Sequence, residues 1–307
     1  MENEQQAVQS LYGPIFIGAF LNAILYGVLS VQTYFYFQNS SRDARWIKVL
    51  VVFVLIAETI SFVLDFGVVW EPLVQNYGSP RIFEITPTTF SADPMVTSCI
   101  SAAVQLFQGW RIRKLTKSNI VLVPIALTAL ASLTAGFATT ILIAFHPGWT
   151  QIGMFEFGFL SWLVASALCD VVIALSLSWF VLRNKSALSS TNSVLNRIML
   201  LTLQTGSITA VAAIADVFTF TLSPDKTLEF VWAYSLSKLY SNTLLSMLNA
   251  RVEWNKVLEQ PSNRTQSEVT FYHVEPVRVS NNIGNPNPQM DLEAHNEKPA
   301  TVVFPAF

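Results

Sequence analysis

The side chains in this sequence that could do chemistry are polar residues set inside long apolar stretches. Glu58 and Asp65 lie seven residues apart in one stretch, so a helix would place both on one face, two turns from each other. Asp170 and Asp216 lie in two later stretches. An unpaired charge at the centre of a bilayer costs at least about 2.5–3.5 kcal/mol, so each of these groups needs a partner or water.

The longest polar stripe runs along the last apolar stretch. Polar residues recur there every three or four positions, at Ser235, Lys238, Asn242, Ser246 and Asn249. If the apolar stretches cross a bilayer in alternating directions, the acids and the lysine lie at similar depths. We therefore predict a polar cavity that opens to the outside and binds a small molecule or ion. Its predicted members are Asp65, Asp170, Asp216, Lys238 and Asn242, with Lys238 paired to Asp65 or Asp216. The alternative is that these groups only join helices through buried ion pairs and hydrogen bonds.

Other kinds of site find little support. The histidines are scattered, and Cys99 and Cys169 lie inside apolar stretches, so we predict no metal site and no disulfide. No membrane-protease motif occurs, and the chain is not expected to be an enzyme. A lysine in the last span is a feature of retinal-binding proteins, with Asp65 or Asp216 as conceivable counter-ions. The third span has no acid beyond Asp93 at its edge, and we predict no cofactor.

Seven apolar stretches are long enough to cross a bilayer as helices, which predicts an all-α integral membrane bundle of seven transmembrane helices. Of the 307 residues, 52% are hydrophobic and 12% are charged, whereas soluble domains usually carry about 25% charged residues. Aromatic residues at the span ends, Trp149 among them, are expected to anchor the helices at the membrane interface. The predicted spans are Pro14 to Phe37, Trp46 to Trp70, Pro94 to Trp110, Ile120 to Phe145, Phe155 to Leu182, Leu195 to Leu222 and Leu228 to Ala250.

The distribution of Lys and Arg predicts the orientation, because basic loops stay on the cytoplasmic side. Alternate loops and the segment after the last span are basic, through Arg42, Arg45, Lys48, Arg111, Arg113, Lys114, Lys117, Arg183, Lys185, Arg197, Arg251, Lys256 and Arg264. The other side has only Arg81 and Lys226. The N-terminus is thus expected outside, with residues 1–13 extracellular, 14–250 forming the helical domain and 251–307 a disordered cytoplasmic tail.

Four segments resemble a family of fungal multi-pass membrane proteins, common in mushroom-forming fungi and catalogued as domain of unknown function 6534. The segments are Tyr34 to Gln38, Phe107 to Leu115, Leu203 to Ser207 and, most clearly, Lys238 to Arg251, which reads KLYSNTLLSMLNAR. The resemblance extends over about Gly13 to Arg251. It implies the seven-helix architecture, but it brings no substrate, partner or catalytic residue.

The functional hypothesis from the sequence is a non-enzymatic, receptor-like or sensory membrane protein. Its outward-facing cavity would bias helix packing, and the basic cytoplasmic loops would report the change to an unknown cytoplasmic partner. A small-solute or ion carrier and a structural membrane organiser are the alternatives. The lipid bilayer is the expected partner, with the plasma membrane as the default location. A net charge of −2 argues against nucleic acid as a partner.

Overall fold

The described part of the chain is folded into seven long α-helices. The structure is a computed structural model that describes residues 2–149, 152–183, 193–223 and 226–259. The helices are α1 (Glu2–Asn39), α2 (Arg45–Trp70), α3 (Asp93–Thr116), α4 (Leu122–Phe145), α5 (Ile152–Arg183), α6 (Ser193–Leu222) and α7 (Phe230–Glu259). They confirm the predicted all-helical architecture.

Most helix ends lie close to the predicted span limits, and the exceptions are extensions. Helix α1 begins at Glu2, twelve residues before the predicted span, and α7 continues to Glu259, nine residues beyond it. The predicted tail from residue 260 onward lies outside the described residues. Among the described helices, four are long and apolar enough to cross a membrane by composition alone, namely those containing Val8–Asn39, Arg45–Gln75, Leu122–Phe145 and Glu156–Arg183.

The less apolar helices α3 and α7 lie towards the inside of the bundle. Neighbours in sequence pack against each other, α7 closes the ring against α1, and α3 additionally contacts both α5 and α7. On the ring's exterior, large apolar side chains such as Phe16 and Phe20 are 55% and 61% exposed. Side chains of this kind are stable when they face lipid. Helix α3 instead buries Ser98, Ser101 and Gln105, which explains its low hydropathy.

Helices α1 and α7 run side by side in the same direction. Two hydrogen bonds join them, from Asn242 Nδ2 to the Leu25 carbonyl (3.1 Å) and from Asn249 Nδ2 to the Gln32 carbonyl (2.8 Å), and a third runs from Thr227 Oγ1, in the turn just before α7, to the Ser10 carbonyl (3.1 Å). Each bond spans the same 217 residues of sequence, so the register is constant and the helices are parallel. A parallel first and last helix is what an odd number of alternating helices requires.

The segments between α2 and α3 and between α4 and α5 cover the predicted outer end of the bundle. The Thr86 amide donates to the Pro147 carbonyl (2.8 Å), and the Trp149 amide donates to the Glu84 carbonyl (3.1 Å). Trp149 is only 8% exposed and packs against Tyr12 and Phe90. The prediction that Trp149 anchors the protein at the membrane interface is therefore wrong, because the folded-back loop buries the ring in the protein.

Candidate functional site

The centre of the bundle holds an ion pair between Lys238 of α7 and Glu58 of α2. The Lys238 Nζ lies 2.6 Å from Glu58 Oε2, and both side chains are 0% exposed. Lys238 also donates to Ser61 Oγ (3.1 Å) and to Ser237 Oγ (3.4 Å), while Ser241 Oγ donates to Glu58 Oε1. The carboxylate and the ammonium group thus satisfy each other with the help of three hydroxyl groups.

The predicted partners of Lys238 were Asp65 or Asp216, and the ion pair with Glu58 corrects that prediction. Glu58 lies near the middle of α2, whereas Asp65 lies seven residues further along, roughly 10 Å closer to the predicted outer end. The Lys238 side chain projects to the level of Glu58, and its contact with Asp65 runs through Ser61, which donates to Asp65 Oδ2 (3.3 Å).

Asp65 belongs to a second group of polar side chains above the ion pair. Asn22 Nδ2 of α1 donates to Asp65 Oδ2, and Asp93 of α3 lies close enough for its carboxyl group to interact with that of Asp65. Thr97 Oγ1 donates to Asp93 Oδ1 (3.2 Å). Side chains from α1, α2 and α3 therefore converge here, and Ser61 connects them to the ion pair.

Asp170 lies in a separate network and does not join the predicted cavity. It accepts a hydrogen bond from Tyr240 Oη of α7 and another from Gln105 Nε2 of α3 (3.1 Å). Gln105 also contacts Ser166 Oγ (3.3 Å), which lies one helical turn before Asp170 on α5. This network connects α3, α5 and α7 through neutral donors, which is the arrangement expected of interhelical hydrogen bonds.

The other two predicted site residues have different surroundings. Asp216 is 0% exposed, and neither carboxyl oxygen has a hydrogen-bond partner within the described part of the chain. Asn242 is half-buried and donates to the backbone of α1 and to the Lys238 carbonyl (2.8 Å). The structure thus brings together Asp65 and Lys238, places Asp170 in another network and Asn242 against α1, and leaves the buried Asp216 without a hydrogen-bond partner among the described residues.

Apolar clusters cover the polar centre on both sides. The outer plug consists of Tyr12, Ile82, Phe90, Trp149 and Phe230, each buried. The inner apolar cluster consists of Tyr36, Ile47, Val51, Leu244 and Leu248, also buried. Some helices contribute residues both to the outer plug and to the polar centre. On each of them, the plug residue lies nearer the predicted outer end than the polar residue does. Among the described residues, the outer plug therefore lies between the polar centre and the predicted outer end, and the opening to the outside stays a prediction.

A surface pocket exists beyond the outer plug. It is small and half open, with a volume of about 20 Å³, and it is lined by Tyr12, Glu71, Pro72, Asn76, Arg81, Ile82, Ile85 and Pro87. The Tyr12 hydroxyl donates to the Ile82 carbonyl at its edge (2.7 Å). The pocket is therefore separated from Lys238 by the plug. Within the described ranges, no three His, Cys, Asp or Glu side chains converge in a way that could hold a metal ion.

Several residues of the observed networks were absent from the predicted set, notably Glu58, Asp93, Asn22 and Tyr240. The spacing of Glu58 and Asp65 already put both on one face, so Glu58 could have been included from the sequence. Asn22 and Tyr240 carry no such signal. A single amide or phenol in an apolar stretch becomes informative only when the helix rotation is known.

The fold and the buried polar centre define the class as an all-helical integral membrane protein. Residues 166–253 match the model of a "Family of unknown function (DUF6534)", an interval that includes Asp170, Asp216 and Lys238. No curated protein matches the chain. Among solved structures, a thermophilic rhodopsin aligns with 14% identity and a TM-score of 0.37, over 81% of this chain and 97% of that one.

Proposed function

We propose that this protein is a non-enzymatic, sensory or receptor-like membrane protein in which the Glu58–Lys238 pair acts as a switch. The observation that carries the proposal is the position of this pair, fully buried and shared between α2 and α7. A buried ion pair contributes little net stability compared with apolar side chains of similar size. Its value is instead that two helices are held in one arrangement and released when the pair is broken.

Apolar clusters border the polar centre towards both ends of the bundle, which favours a sensor over a carrier. A series of interacting side chains leads from Asp93 through Asp65, Ser61 and Lys238 to Glu58. On the predicted cytoplasmic side, this series meets the inner apolar cluster. A carrier needs polar surroundings that reach both sides in turn, whereas a sensor needs only a buried polar centre and packed regions that transmit its change.

A fluorescence experiment on the full chain tests the switch. Asn119, exposed in the loop between α3 and α4, is replaced by Cys in a background in which Cys99 and Cys169 are Ala, and is labelled with bimane. Under the proposal, Lys238→Met shifts the bimane emission while the protein stays folded, because the released helices change the cytoplasmic loop.

The matched control is Ser246→Ala, in the same stripe of α7 but two turns from the ion pair. It should leave the emission unchanged. If Lys238→Met lowers only the thermal stability and leaves the emission as in the parent, the pair is structural and the sensory proposal is wrong.

Proteoliposomes loaded with a pH dye test the carrier alternative. We expect no proton or sodium flux above that of empty vesicles, and a clear flux would favour the carrier.

Retinal binding is a second candidate function, and one observation favours it. Lys238 has a buried carboxylate from a neighbouring helix, Glu58, at 2.6 Å, which is the kind of counter-ion that a Schiff base requires. Adding all-trans-retinal to the purified protein tests this candidate directly. A visible absorbance band that is absent from the Lys238→Ala variant would establish it, and the lack of any band would exclude it.

We also infer that the resemblance to the fungal family covers the helical domain from Gly13 to Arg251, with the plasma membrane as its location. The support is that segments quoted above lie in α1, α3 and α6 as well as α7. Fractionating cells of the source organism, with a plasma-membrane marker as reference, would test the location.

A further inference from the structure

The polar centre contains more negative than positive groups. Glu58, Asp65 and Asp93 are all at least nine-tenths buried, and Lys238 is the basic residue among them. With every group ionised, the four side chains would carry a net charge of −2. Lys238 is already paired to Glu58, so the Asp65–Asp93 pair has no strong cationic partner of its own in the described structure. Two carboxylates this close in a medium of low dielectric cannot both remain charged without a bound cation.

Additional oxygen atoms surround these two carboxyl groups. Asn22 Oδ1, Asp65 Oδ1 and Tyr234 Oη are buried and have no hydrogen-bond donor or acceptor among the described residues. The amide of Asn22 is at the cluster because its Nδ2 bonds Asp65, and the Tyr234 ring lies near both carboxyl groups. The hydroxyl of Thr97 contacts Asp93 as well. The unpartnered oxygens therefore point to a ligand rather than to a completed hydrogen-bond network.

The chemistry of these atoms selects the type of ligand. All of them are oxygens, from two carboxyl groups, an amide and hydroxyls, and hard cations prefer such ligands. Because the positively charged Lys238 lies nearby on α7 and repels cations, the two acidic ligands suit a single positive charge better than a divalent ion. Glu229 lies near Tyr234 and adds to the negative surroundings.

We propose that Asp65 and Asp93 form a buried site for one small monovalent cation, either a proton or a sodium ion. The cation compensates one of the two negative charges of the carboxyl pair and joins α1, α2 and α3 at the level of Tyr234 on α7. This site is distinct from the Glu58–Lys238 switch and does not depend on the sensory function. It assigns a role to Asp93, which lies at the first position of α3.

The test measures thermal unfolding of the purified full chain in nanodiscs by tryptophan fluorescence. Sodium chloride is compared with choline chloride at equal ionic strength, at pH 8 and at pH 5.5. A cation that binds only the folded state raises its unfolding midpoint with concentration. If the site binds sodium, the unfolding midpoint at pH 8 should be several degrees higher in sodium chloride than in choline chloride. A proton predicts no sodium effect and a higher midpoint at pH 5.5.

Variants separate this site from other carboxyl groups. Asp65→Asn and Asp93→Asn keep the side-chain shape and remove the charge, so each should lose the sodium or pH dependence of the parent. Asp170→Asn is the matched control for the sodium dependence, because that buried acid belongs to another network, and it should keep that dependence. Asn249→Ala, which removes no acid, is the control for the pH dependence and should keep it. If an Asn variant fails to fold, Tyr234→Phe provides the second test. We expect it to raise several-fold the sodium or proton concentration that gives half of the shift in unfolding midpoint.

The outcomes decide the proposal. A sodium dependence that is lost in the Asp65 and Asp93 variants and kept in the Asp170 variant supports the proposal and identifies the ion as sodium. A pH dependence that is lost in the same two variants and kept in the Asn249 variant supports it and identifies the ion as a proton. A midpoint that responds to neither ion overturns it. The same holds if Asp65→Asn and Asp93→Asn respond as strongly as the parent protein.

Discussion

Lys238 is surrounded by more acids than it can neutralise, so removing it should harm the protein more than removing its partner. Lys238→Met leaves Glu58 buried with only the Ser237 and Ser241 hydroxyls as donors. Glu58→Gln leaves Lys238 with two hydroxyl contacts, at 3.1 and 3.4 Å, and with Asp65 close enough to attract it. With all groups ionised, the first change takes the central charge from −2 to −3, and the second takes it to −1.

The expected magnitudes follow from this difference. Removing one partner of a buried ion pair costs about 3–5 kcal/mol when the other is left uncompensated, and we expect this for Lys238→Met. For Glu58→Gln we expect about 1–3 kcal/mol, the cost of imperfect hydrogen bonding, because Lys238 keeps attractive neighbours. The double variant, Lys238→Met with Glu58→Gln, removes both charges of the ion pair. Its loss should therefore be close to that of Glu58→Gln and well below the sum of the two single losses.

The measurement is the free energy of unfolding in bicelles for the parent, both single variants and the double variant, with Ser246→Ala as a control in the same helix. The order of the single variants is the decisive result. If Glu58→Gln lowers the free energy of unfolding as much as Lys238→Met does, or more, the acidic side chains do not dominate the charge of the polar centre. A double variant whose loss equals the sum would show that the two residues do not interact.

The remaining predictions concern helix contacts, and each is checked by the free energy of unfolding. Gly18→Ala should cost about 1–3 kcal/mol, because a Cβ there would lie 2.3 Å from a backbone oxygen of α7, whereas Gly27→Ala, with no atom within 4 Å, should be neutral or slightly stabilising. Asp216→Leu should stabilise by about 1 kcal/mol, because it replaces a buried acid without a donor among the described residues by an apolar side chain of similar shape, and a loss there would mean that Asp216 has an ionic partner. Asp170→Asn should cost about 1–3 kcal/mol, since Tyr240 and Gln105 donate to that acid. Asn249→Ala should cost about 0.6–1.7 kcal/mol, the range measured for hydrogen bonds between membrane helices, and no loss would count against the α1–α7 contact.

The helices of this protein could be predicted from local properties of the sequence. An apolar stretch of sufficient length determines a span, and α2, α4 and α6 begin and end within two residues of the prediction. In the structure, the polar residues of α3 and most of the polar stripe of α7 lie buried in contacts with other helices. The orientation, with the N-terminus outside, stays a prediction from the basic loops.

The sequence by itself determined which residues share a helical face, because 3.6 residues per turn sets that relation within one helix. It therefore placed Asp65 with Glu58, and Lys238 with Asn242. Only the tertiary structure decided which faces meet, because the rotation and depth of each helix depend on packing against several neighbours at once. That packing paired Lys238 with Glu58, moved Asp170 into a separate network and buried Trp149 above the polar centre.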